Sequence, residues 1–349
     1  PLCVLLVCGR RLMSANPLLE VENLCTYFRL SKSHPFGRQK TVYAVDDVSF
    51  RVSRGTTFGI VGESGCGKST TAMSILRLIK PTSGTVRFDG NDVLNMGPKP
   101  LRRLRSSMQL IFQDPYSSLN PRATAGRIVG APLKTHGVGS AKQQMDRVAE
   151  LFAKVGLRPE QQDAFPHQFS GGQRQRISIA RALATEPDMI VCDEPVSALD
   201  VAIQSQILNL LIRLQRELNL TYLFISHDMG VVQHMCDELA VLYLGKIVEQ
   251  ADRHSLFSHP LHPYTWSLLS AVPSIYSDTD SRKQRVKLQG DPPSPIDPPP
   301  GCRFAQRCPF ADAAARCWSK MPLLREINNG HKVACHRVSS QGIAPQDAL

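Results

Sequence analysis

The stretch Gly62-Glu-Ser-Gly-Cys-Gly-Lys-Ser69 follows the apolar run Phe58-Gly-Ile-Val61 and fits G-x-x-x-x-G-K-[ST], the pattern of a phosphate-binding loop. Its glycines let the backbone turn tightly, so that successive N–H groups point at phosphate oxygens. The helix expected after Lys68 adds the positive end of its dipole. One such loop is a moderate signal, because the pattern also occurs by chance. Further elements of a phosphate site are needed to assign the fold.

Four short apolar runs have the composition of central strands that are covered on both faces. They are Phe58–Val61, Met108–Phe112, Met189–Cys192 and Leu223–Ser226. Each run ends at residues suited to phosphate chemistry, namely the 62–69 loop, Gln113, Asp193-Glu194 and His227. In open α/β sheets, ligands bind beyond the carboxyl ends of the strands. The sequence therefore predicts that these residues meet at one edge of a sheet.

Other patterns outline the rest of an α/β fold. Leu18–Leu24 and Val48–Val52 alternate apolar and polar residues, which predicts antiparallel strands. Residues 114–187 carry helical stretches and predict a helical subdomain, and Gln204–Asn219 reads as an amphipathic helix. Residues 240–250 predict a hairpin that turns at Gly245-Lys246.

The composition is ordinary for a globular protein, with 42% hydrophobic and 20% charged residues in 349. The net charge is +11, but the basic residues are scattered rather than in blocks, which disfavours a nucleic-acid-binding role. No run reaches the roughly 18–20 apolar residues of a membrane span. Residues 1–17 are predicted to be a disordered or mis-started N-terminus, because Met13 resembles a start and Pro1–Cys8 lacks one.

Four cysteines, Cys302, Cys308, Cys317 and Cys335, crowd into residues 301–349, after a proline-rich linker predicted over 255–300. Their spacing is C-x₅-C-x₈-C-x₁₇-C, unlike the paired C-x₂₋₄-C of many structural zinc sites. Four thiolates hold either zinc or an iron–sulfur cluster. Disulfides are disfavoured in the cytosol. The sequence therefore predicts a metal centre of four cysteines and leaves its metal open.

Phe169-Ser-Gly-Gly-Gln173 is a second glycine-rich turn before a helical stretch. Together with the phosphate loop, Gln113, Asp193-Glu194 and His227, in this order, it resembles the nucleotide-binding subunit of an ABC transporter over roughly residues 18–250. The resemblance implies a P-loop (RecA-like) ABC ATPase core with an antiparallel β subdomain and a helical subdomain at about 114–187. The ATPase domain would cover 18–254, followed by the linker and a small Cys-rich C-terminal extension at 301–349.

The resemblance and the chemistry of the residues imply ATP and Mg²⁺ as ligands. The expected ATP contacts are Gly62, Glu63, Ser64, Gly65, Cys66, Gly67, Lys68, Ser69, Thr70, Gln113 and Asp193, with Phe28 beneath adenine. Tyr27 and Tyr43 are alternatives to Phe28. Ser69, Gln113 and Asp193 are expected to hold Mg²⁺.

Catalysis is assigned to three residues at strand ends. Glu194 is placed to polarise the attacking water, and Gln113 and His227 to orient it. In ABC proteins the second glycine-rich turn closes over the ATP of the opposite subunit. That role falls on Ser170, Gly171, Gly172, Gln173 and Asp200. The expected partner is therefore a second ABC ATPase, either identical or related.

Phe257–Pro273 and Gly301–Pro309 resemble the tails of oligopeptide/dipeptide importer ATPases. This branch implies ATP-driven peptide import with two transmembrane permeases and, indirectly, an extracytoplasmic peptide-binding protein, at the cytoplasmic face of the inner membrane. It also favours a 4Fe–4S cluster over zinc in the tail.

Three alternatives remain beside this prediction. The importer could carry nickel or glutathione-type cargo. A soluble ABC ATPase acting on nucleic acid or the ribosome normally has two ATPase units or inserted modules, and this sequence shows neither. A non-catalytic nucleotide switch is disfavoured by the intact Glu194 and His227.

Overall fold

The structure is a computed structural model and describes residues 17–31, 39–270, 290, 293–328 and 330–348. The predictions for residues 1–16, including a start at Met13, and for 271–289 and 291–292 of the linker lie outside this range. The strands are β1 Leu19–Arg29, β2 Thr41–Val52, β3 Thr57–Val61, β4 Ser83–Phe88, β5 Asn91–Asp92, β6 Met108–Ile111, β7 Met189–Asp193, β8 Thr221–Ser226, β9 Glu238–Tyr243, β10 Lys246–Asp252, β11 Arg325–Asn328 and β12 His331–Val333. The α-helices are α1 Lys68–Ile75, α2 Pro98–Ser107, α3 Pro115–Ser118, α4 Ala125–His136, α5 Ala141–Lys154, α6 Gly171–Leu183, α7 Val201–Leu218, α8 Met229–Met235, α9 Arg253–Ser258 and α10 Pro263–Ser270.

The central sheet has the order β11-β12-β10-β9-β3-β8-β7-β6, and β9, β3, β8, β7 and β6 run parallel. Side chains of its strands alternate between two hydrophobic cores. In β8, Tyr222 and Phe224 enter one core, whereas Leu223 and Ile225 enter the other. A strand covered on both faces has no polar face to show. This arrangement explains the continuous apolar runs and confirms the predicted α/β fold.

A smaller antiparallel sheet has the order β2-β1-β4-β5 and packs against α1. The chain between β6 and β7 forms the helical part of the molecule, in which α4, α5 and α6 pack together. Ser140 caps α5 and Ser170 caps α6, each in a reciprocal capping box. The predicted antiparallel and helical parts are both present.

The β9–β10 hairpin turns one residue earlier than the sequence suggests, at Leu244 and Gly245. Both residues have a positive φ, 43° and 80°. Two consecutive left-handed residues give the turn whose twist matches that of hairpin strands, and the glycine accepts this conformation without strain. The prediction of Gly245-Lys246 assumed that the glycine comes first in the turn.

From here on, the C-terminal extension means all residues from Arg253 onward, which include the Cys-rich part at 301–349. Residues 255–300 were predicted as linker, but the structure has two helices over 253–270, α9 and α10, with Leu256 and Tyr264 buried. Proline marks the start of α10, where a missing N–H costs nothing. At its other end, β12 pairs with β10 and adds the extension to the central sheet.

A buried carboxylate fixes this junction. Glu249 of β10 accepts hydrogen bonds from the backbone N–H groups of Leu261 and His262, and its Oε1 lies 2.7 Å from Nε2 of His331 in β12. Burial lowers the pKa of His262 to about 4, so this imidazole is neutral at physiological pH. The extension is therefore bound to the core by polar contacts as well as by strand pairing.

Candidate functional site

The phosphate-binding loop connects β3 to α1. Gly62 and Gly67 have φ values of 155° and 107°, and a Cβ at either position would overlap a backbone carbonyl oxygen, of Leu242 and Ala44 respectively. Only glycine fits such close approaches. The N-terminus of α1 follows directly, so the loop N–H groups and the helix dipole act on the same volume.

The side chain of Lys68 is 4% exposed, and its ammonium group lies against the loop backbone. Its Nζ donates to the carbonyl oxygens of Gly62 at 2.8 Å and Glu63 at 3.0 Å, and it lies 3.7 Å from Oε1 of Glu194. The loop backbone thus sets the position of the cation that the sequence assigned to the phosphates.

Glu194 is the point at which the predicted catalytic residues meet. Nε2 of Gln113 donates to its Oε2 at 2.8 Å, and Nδ1 of His227 lies 3.1 Å from its Oε1. Glu194 is buried and has a left-handed backbone with φ 45°, held by a hydrogen bond from its N–H to the Ile225 carbonyl. A non-glycine residue in this region stores strain of about 1–3 kcal/mol, which is tolerated where surrounding structure fixes it.

Asp193 and Ser69 form the neighbouring pair, with the Ser69 hydroxyl donating to Oδ1 of Asp193 at 2.9 Å. Burial raises the pKa of Asp193; the Ser69 hydrogen bond opposes this, the charge of Glu194 adds to it, and Lys68 opposes it. Two adjacent buried carboxylates favour a bound cation. Hydroxyl, carboxylate and amide oxygens are the ligands that Mg²⁺ prefers, so Ser69, Asp193 and Gln113 fit this ion.

A cleft of about 170 Å³ lies over the loop. Its lining is Val42, Ala44, Ser64, Gly65, Gly67, Lys68, Ser69, Thr70, Gln113, Glu194 and Pro295. Cys66 is buried below it, and burial raises the pKa of its thiol to about 11. Loop residues and two of the predicted catalytic residues, Gln113 and Glu194, therefore share one cleft.

The strand register separates the aromatic candidates. Phe28 lies directly opposite Val42 across β1 and β2, so the two side chains share a face of the sheet, and Phe28 is 39% exposed. Tyr27 instead packs on Tyr43, with ring centroids 4.6 Å apart, and its hydroxyl donates to Asp46. Because Val42 lines the cleft, the register favours Phe28 for the adenine contact.

The second glycine-rich turn does not line this cleft among the residues that the structure describes. Ser170 caps α6, and a Cβ on Gly172 would lie 2.6 Å from Cγ2 of Ile203, at the start of α7. Asp200 caps that helix by accepting from the N–H of Ile203 at 2.9 Å. Ser170, Gly171, Gly172 and Gln173 thus form one surface with the segment around Asp200.

A group of residues from the C-terminal extension, not predicted from the sequence, also contacts the phosphate loop and the cleft. The guanidinium of Arg307 forms two hydrogen bonds with the carboxylate of Glu63, at 2.7 and 3.1 Å. The N–H of Glu63 donates to the hydroxyl of Tyr264 at 2.8 Å, and Pro295 lines the cleft. A carboxylate inside a phosphate loop was the available signal, because a negative charge beside phosphate calls for a cationic partner.

The four tail cysteines are buried or half-buried, and the N–H of Cys302 donates to the carbonyl of Cys317. Burial raises the pKa of Cys302 to about 11 and that of Cys308 to about 12, and the other tail thiols add to both shifts. The thiols therefore influence one another. Across residues 17–348, excluding the gaps noted above, no three Cys, His, Asp or Glu side chains are placed to hold one metal ion. The predicted four-cysteine centre is not preformed in that range.

Within the same described part of the chain, no helix is both long and apolar enough to span a bilayer.

Comparison with known proteins gives two family matches. Residues 45–197 match the ABC transporter family, and residues 248–320 match the C-terminal region of the oligopeptide/dipeptide transporter family. The oligopeptide transport ATP-binding protein AppF of Bacillus subtilis is 48% identical over 92% of this chain and 98% of its own length. A putative peptide import ATP-binding protein of Brucella ovis is 49% identical over 93% of this chain and 99% of its own length.

Two solved structures are also similar. The ATP-binding cassette MJ0796, as a dimer bound to ADP and phosphate, has a TM-score of 0.60 and 29% identity, over 67% of this chain and 98% of that one. The structure of cbiO1 from Clostridium perfringens, part of the ABC transporter complex cbiONQ, has a TM-score of 0.59 and 28% identity. The match covers 69% of this chain and 91% of that one.

Proposed function

This chain belongs to the ABC transporter family of ATP-binding proteins and is an ATPase, and from that premise we propose that it energises peptide import. One observation supports this most directly. Lys68, Gln113 and His227 all contact Glu194, beside the Asp193–Ser69 pair. The relatives named for oligopeptide and peptide import, and the match of residues 248–320, support the cargo class.

In the proposed mechanism the loop N–H groups and Lys68 bind the β- and γ-phosphates. Glu194 accepts a proton from the attacking water, and His227 and Gln113 orient that water, since both already contact the Glu194 carboxylate. Ser69, Asp193 and Gln113 would hold Mg²⁺, which stabilises negative charge on the phosphoryl oxygens when bound. Phe28 stacks on adenine.

We infer a second ABC ATPase, identical or related, as the partner across ATP. Ser170–Gln173 and Asp200 form a capped helix end outside the cleft of their own chain, which suits the ATP of another subunit. Two permeases and, indirectly, an extracytoplasmic peptide-binding protein complete the importer. The chain would then lie at the cytoplasmic face of the inner membrane and bind no nucleic acid.

The four tail cysteines are proposed as a 4Fe–4S site, with zinc as the alternative. The tail thiols raise one another's pKa, and a bound metal would take them as thiolates, release their protons and hold the four sulfurs together by its positive charge. Anaerobic purification and metal analysis test this. About four irons per chain are expected; zinc without iron would replace the cluster, and unchanged metal content in Cys308→Ser would exclude the site.

Reconstitution tests the function. The chain, its partner ATPase and the permeases should co-purify and, with the peptide-binding protein added, drive ATP-dependent peptide uptake into vesicles, and Glu194→Gln should abolish the uptake. Uptake of nickel or glutathione without uptake of peptide would show that the cargo is not peptide. A stoichiometric RNA or DNA complex in place of the permeases would contradict the importer role.

A further inference from the structure

The C-terminal extension reaches the nucleotide cleft from the side of the small sheet. Residues 295–297 pair with the free edge of β2: the N–H of Tyr43 donates to Pro295 at 3.0 Å, and the N–H of Asp297 donates to Thr41 at 3.1 Å. Val42 lies opposite Ile296 in this bridge. The extension therefore covers a strand edge that would otherwise be unpaired.

This pairing brings Pro295 to the wall of the cleft next to Val42 and Ala44. These three are the apolar part of the lining, whereas the phosphate loop, Gln113 and Glu194 are its polar part. The triphosphate belongs at the polar part, where the N–H groups and Lys68 lie. The apolar part, beside Phe28, is left for the nucleoside.

The extension also holds the phosphate loop itself. Arg307 is 7% exposed and forms a two-point hydrogen-bonded ion pair with Glu63, while Tyr264 accepts from the Glu63 N–H. Burial by itself lowers the pKa of Arg307, but the hydrogen bonds to Glu63 and Tyr243 outweigh it and raise the pKa above its usual value. Glu63 is thus fixed at both its side chain and its backbone.

The position of Glu63 in turn determines the position of the Lys68 ammonium group. The Lys68 ammonium is held by the carbonyl oxygens of Gly62 and Glu63, at 2.8 and 3.0 Å. A displacement of Glu63 therefore moves the cation that binds phosphate. The extension is also anchored to the core without Glu63, because Arg303 pairs with Asp46 of β2. A further ion pair, Arg337–Asp312 at 2.7 Å, lies within the extension itself.

We propose that the C-terminal extension completes the nucleotide site at both ends. Arg307 and Tyr264 are positioning residues for the phosphate loop, and Pro295 contacts the nucleoside. The nucleotide is ATP, as the proposed function requires, so binding by the unmodified chain tests the function and the variants test this proposal.

The experiment compares two ligands on the full-length chain with Mg²⁺, namely ATP and inorganic tripolyphosphate, which lacks the nucleoside. Pro295→Ala should weaken ATP about fivefold, the effect of losing one apolar contact, and leave tripolyphosphate unchanged. Arg307→Lys, which keeps the charge but loses the two-point geometry, should weaken both ligands by a similar factor of about five. Pro300→Ala and Arg337→Lys are the matched controls and should bind both ligands as the unmodified chain does.

Glu63→Gln provides a second route to the same contact. It should weaken both ligands as Arg307→Lys does, and the double variant should be no weaker than the worse single variant, because both remove one interaction. Pro295→Ala affecting ATP and tripolyphosphate equally, or neither, would overturn the nucleoside contact. Arg307→Lys within twofold of the unmodified chain, or no worse than Arg337→Lys, would overturn the positioning role.

Discussion

Glu194 combines a strained backbone with three side-chain partners, Lys68, Gln113 and His227. The strain is stored at the residue whose carboxylate would face the attacking water in the proposed mechanism, and the neighbouring strand β8 holds its N–H. A carboxylate fixed in this way needs little reorganisation before it accepts a proton.

Glu194→Gln should keep ATP affinity and lower turnover at least about 100-fold, because the amide keeps the size and one acceptor oxygen but cannot take a proton. It should also trap an ATP-bound dimer. Phosphate release and equilibrium ATP binding measure the two effects. Glu217→Gln, on the exposed side of α7, is the control. Turnover above about a tenth of the unmodified rate would show that Glu194 is not the base.

Lys68→Ala should act differently and weaken ATP binding itself, since it removes the buried cation held at Gly62 and Glu63. Equilibrium titration with ATP distinguishes the two variants. An ATP affinity unchanged by Lys68→Ala would contradict the assignment of its ammonium to the phosphates.

Asp193 gives the site a pH dependence. Because burial raises its pKa, Asp193 takes up a proton at a higher pH than an ordinary carboxyl group as the pH falls. Protonated Asp193 cannot hold Mg²⁺, so ATPase activity should fall on the acid side, and more Mg²⁺ should move the midpoint to lower pH. Profiles at two Mg²⁺ concentrations measure this. A midpoint that does not respond to Mg²⁺ would assign the acid limb to another group.

At the scale of elements, α6 and α7 approach each other so closely at Gly172 that no larger side chain fits there. A side chain at position 172 would press on Ile203 and displace the start of α7, which Asp200 caps. Gly172→Ala should therefore lower ATP hydrolysis by the assembled dimer while each chain keeps its ATP affinity, which is set by the separate loop cleft. Gly130→Ala in α4, where an added Cβ would only touch Val148 at 3.4 Å, is the control. Equal loss in both variants would point to general destabilisation.

The central strands and the site residues at their ends could be predicted from the sequence. Each strand sends side chains into both cores, so that it is a continuous apolar run, and a polar residue follows the run. Local pattern carries that information. The contacts of Arg307 and Pro295 could not be predicted, because they join residues more than 240 positions apart and each residue is unremarkable in its own neighbourhood. The helices α9 and α10 were missed because proline-rich sequence on their C-terminal side dominated the interpretation of the segment.

At the scale of the whole molecule, we expect the face next to Gln113 to meet the permease. Tyr116 and Asn120 are exposed, and Arg174 of α6 stacks over the Tyr116 ring at 4.9 Å. Arg181 of the same helix donates to the carbonyl of Ser118 at 2.7 Å. A force on this face would therefore reach α6, whose N-cap Ser170 is proposed to meet the partner's ATP.

A cysteine introduced as Asn120→Cys should cross-link to a permease in the assembled importer. Val138→Cys, exposed at the far end of α4, should not. Mass spectrometry of the cross-linked product identifies the partner chain. A cross-link at position 138 alone would place the membrane partner on a different face.

The pairing of Glu63 with Arg307 also affects how the protein matures during translation. Chains emerge from the ribosome at about 5–20 residues per second, and these two residues are 244 positions apart. The phosphate loop is therefore made roughly 10–50 seconds before the arginine that holds it. A nascent chain therefore contains its ATP-binding motifs long before the phosphate loop is held in its final geometry, and translation must finish before the enzyme can begin to hydrolyse ATP.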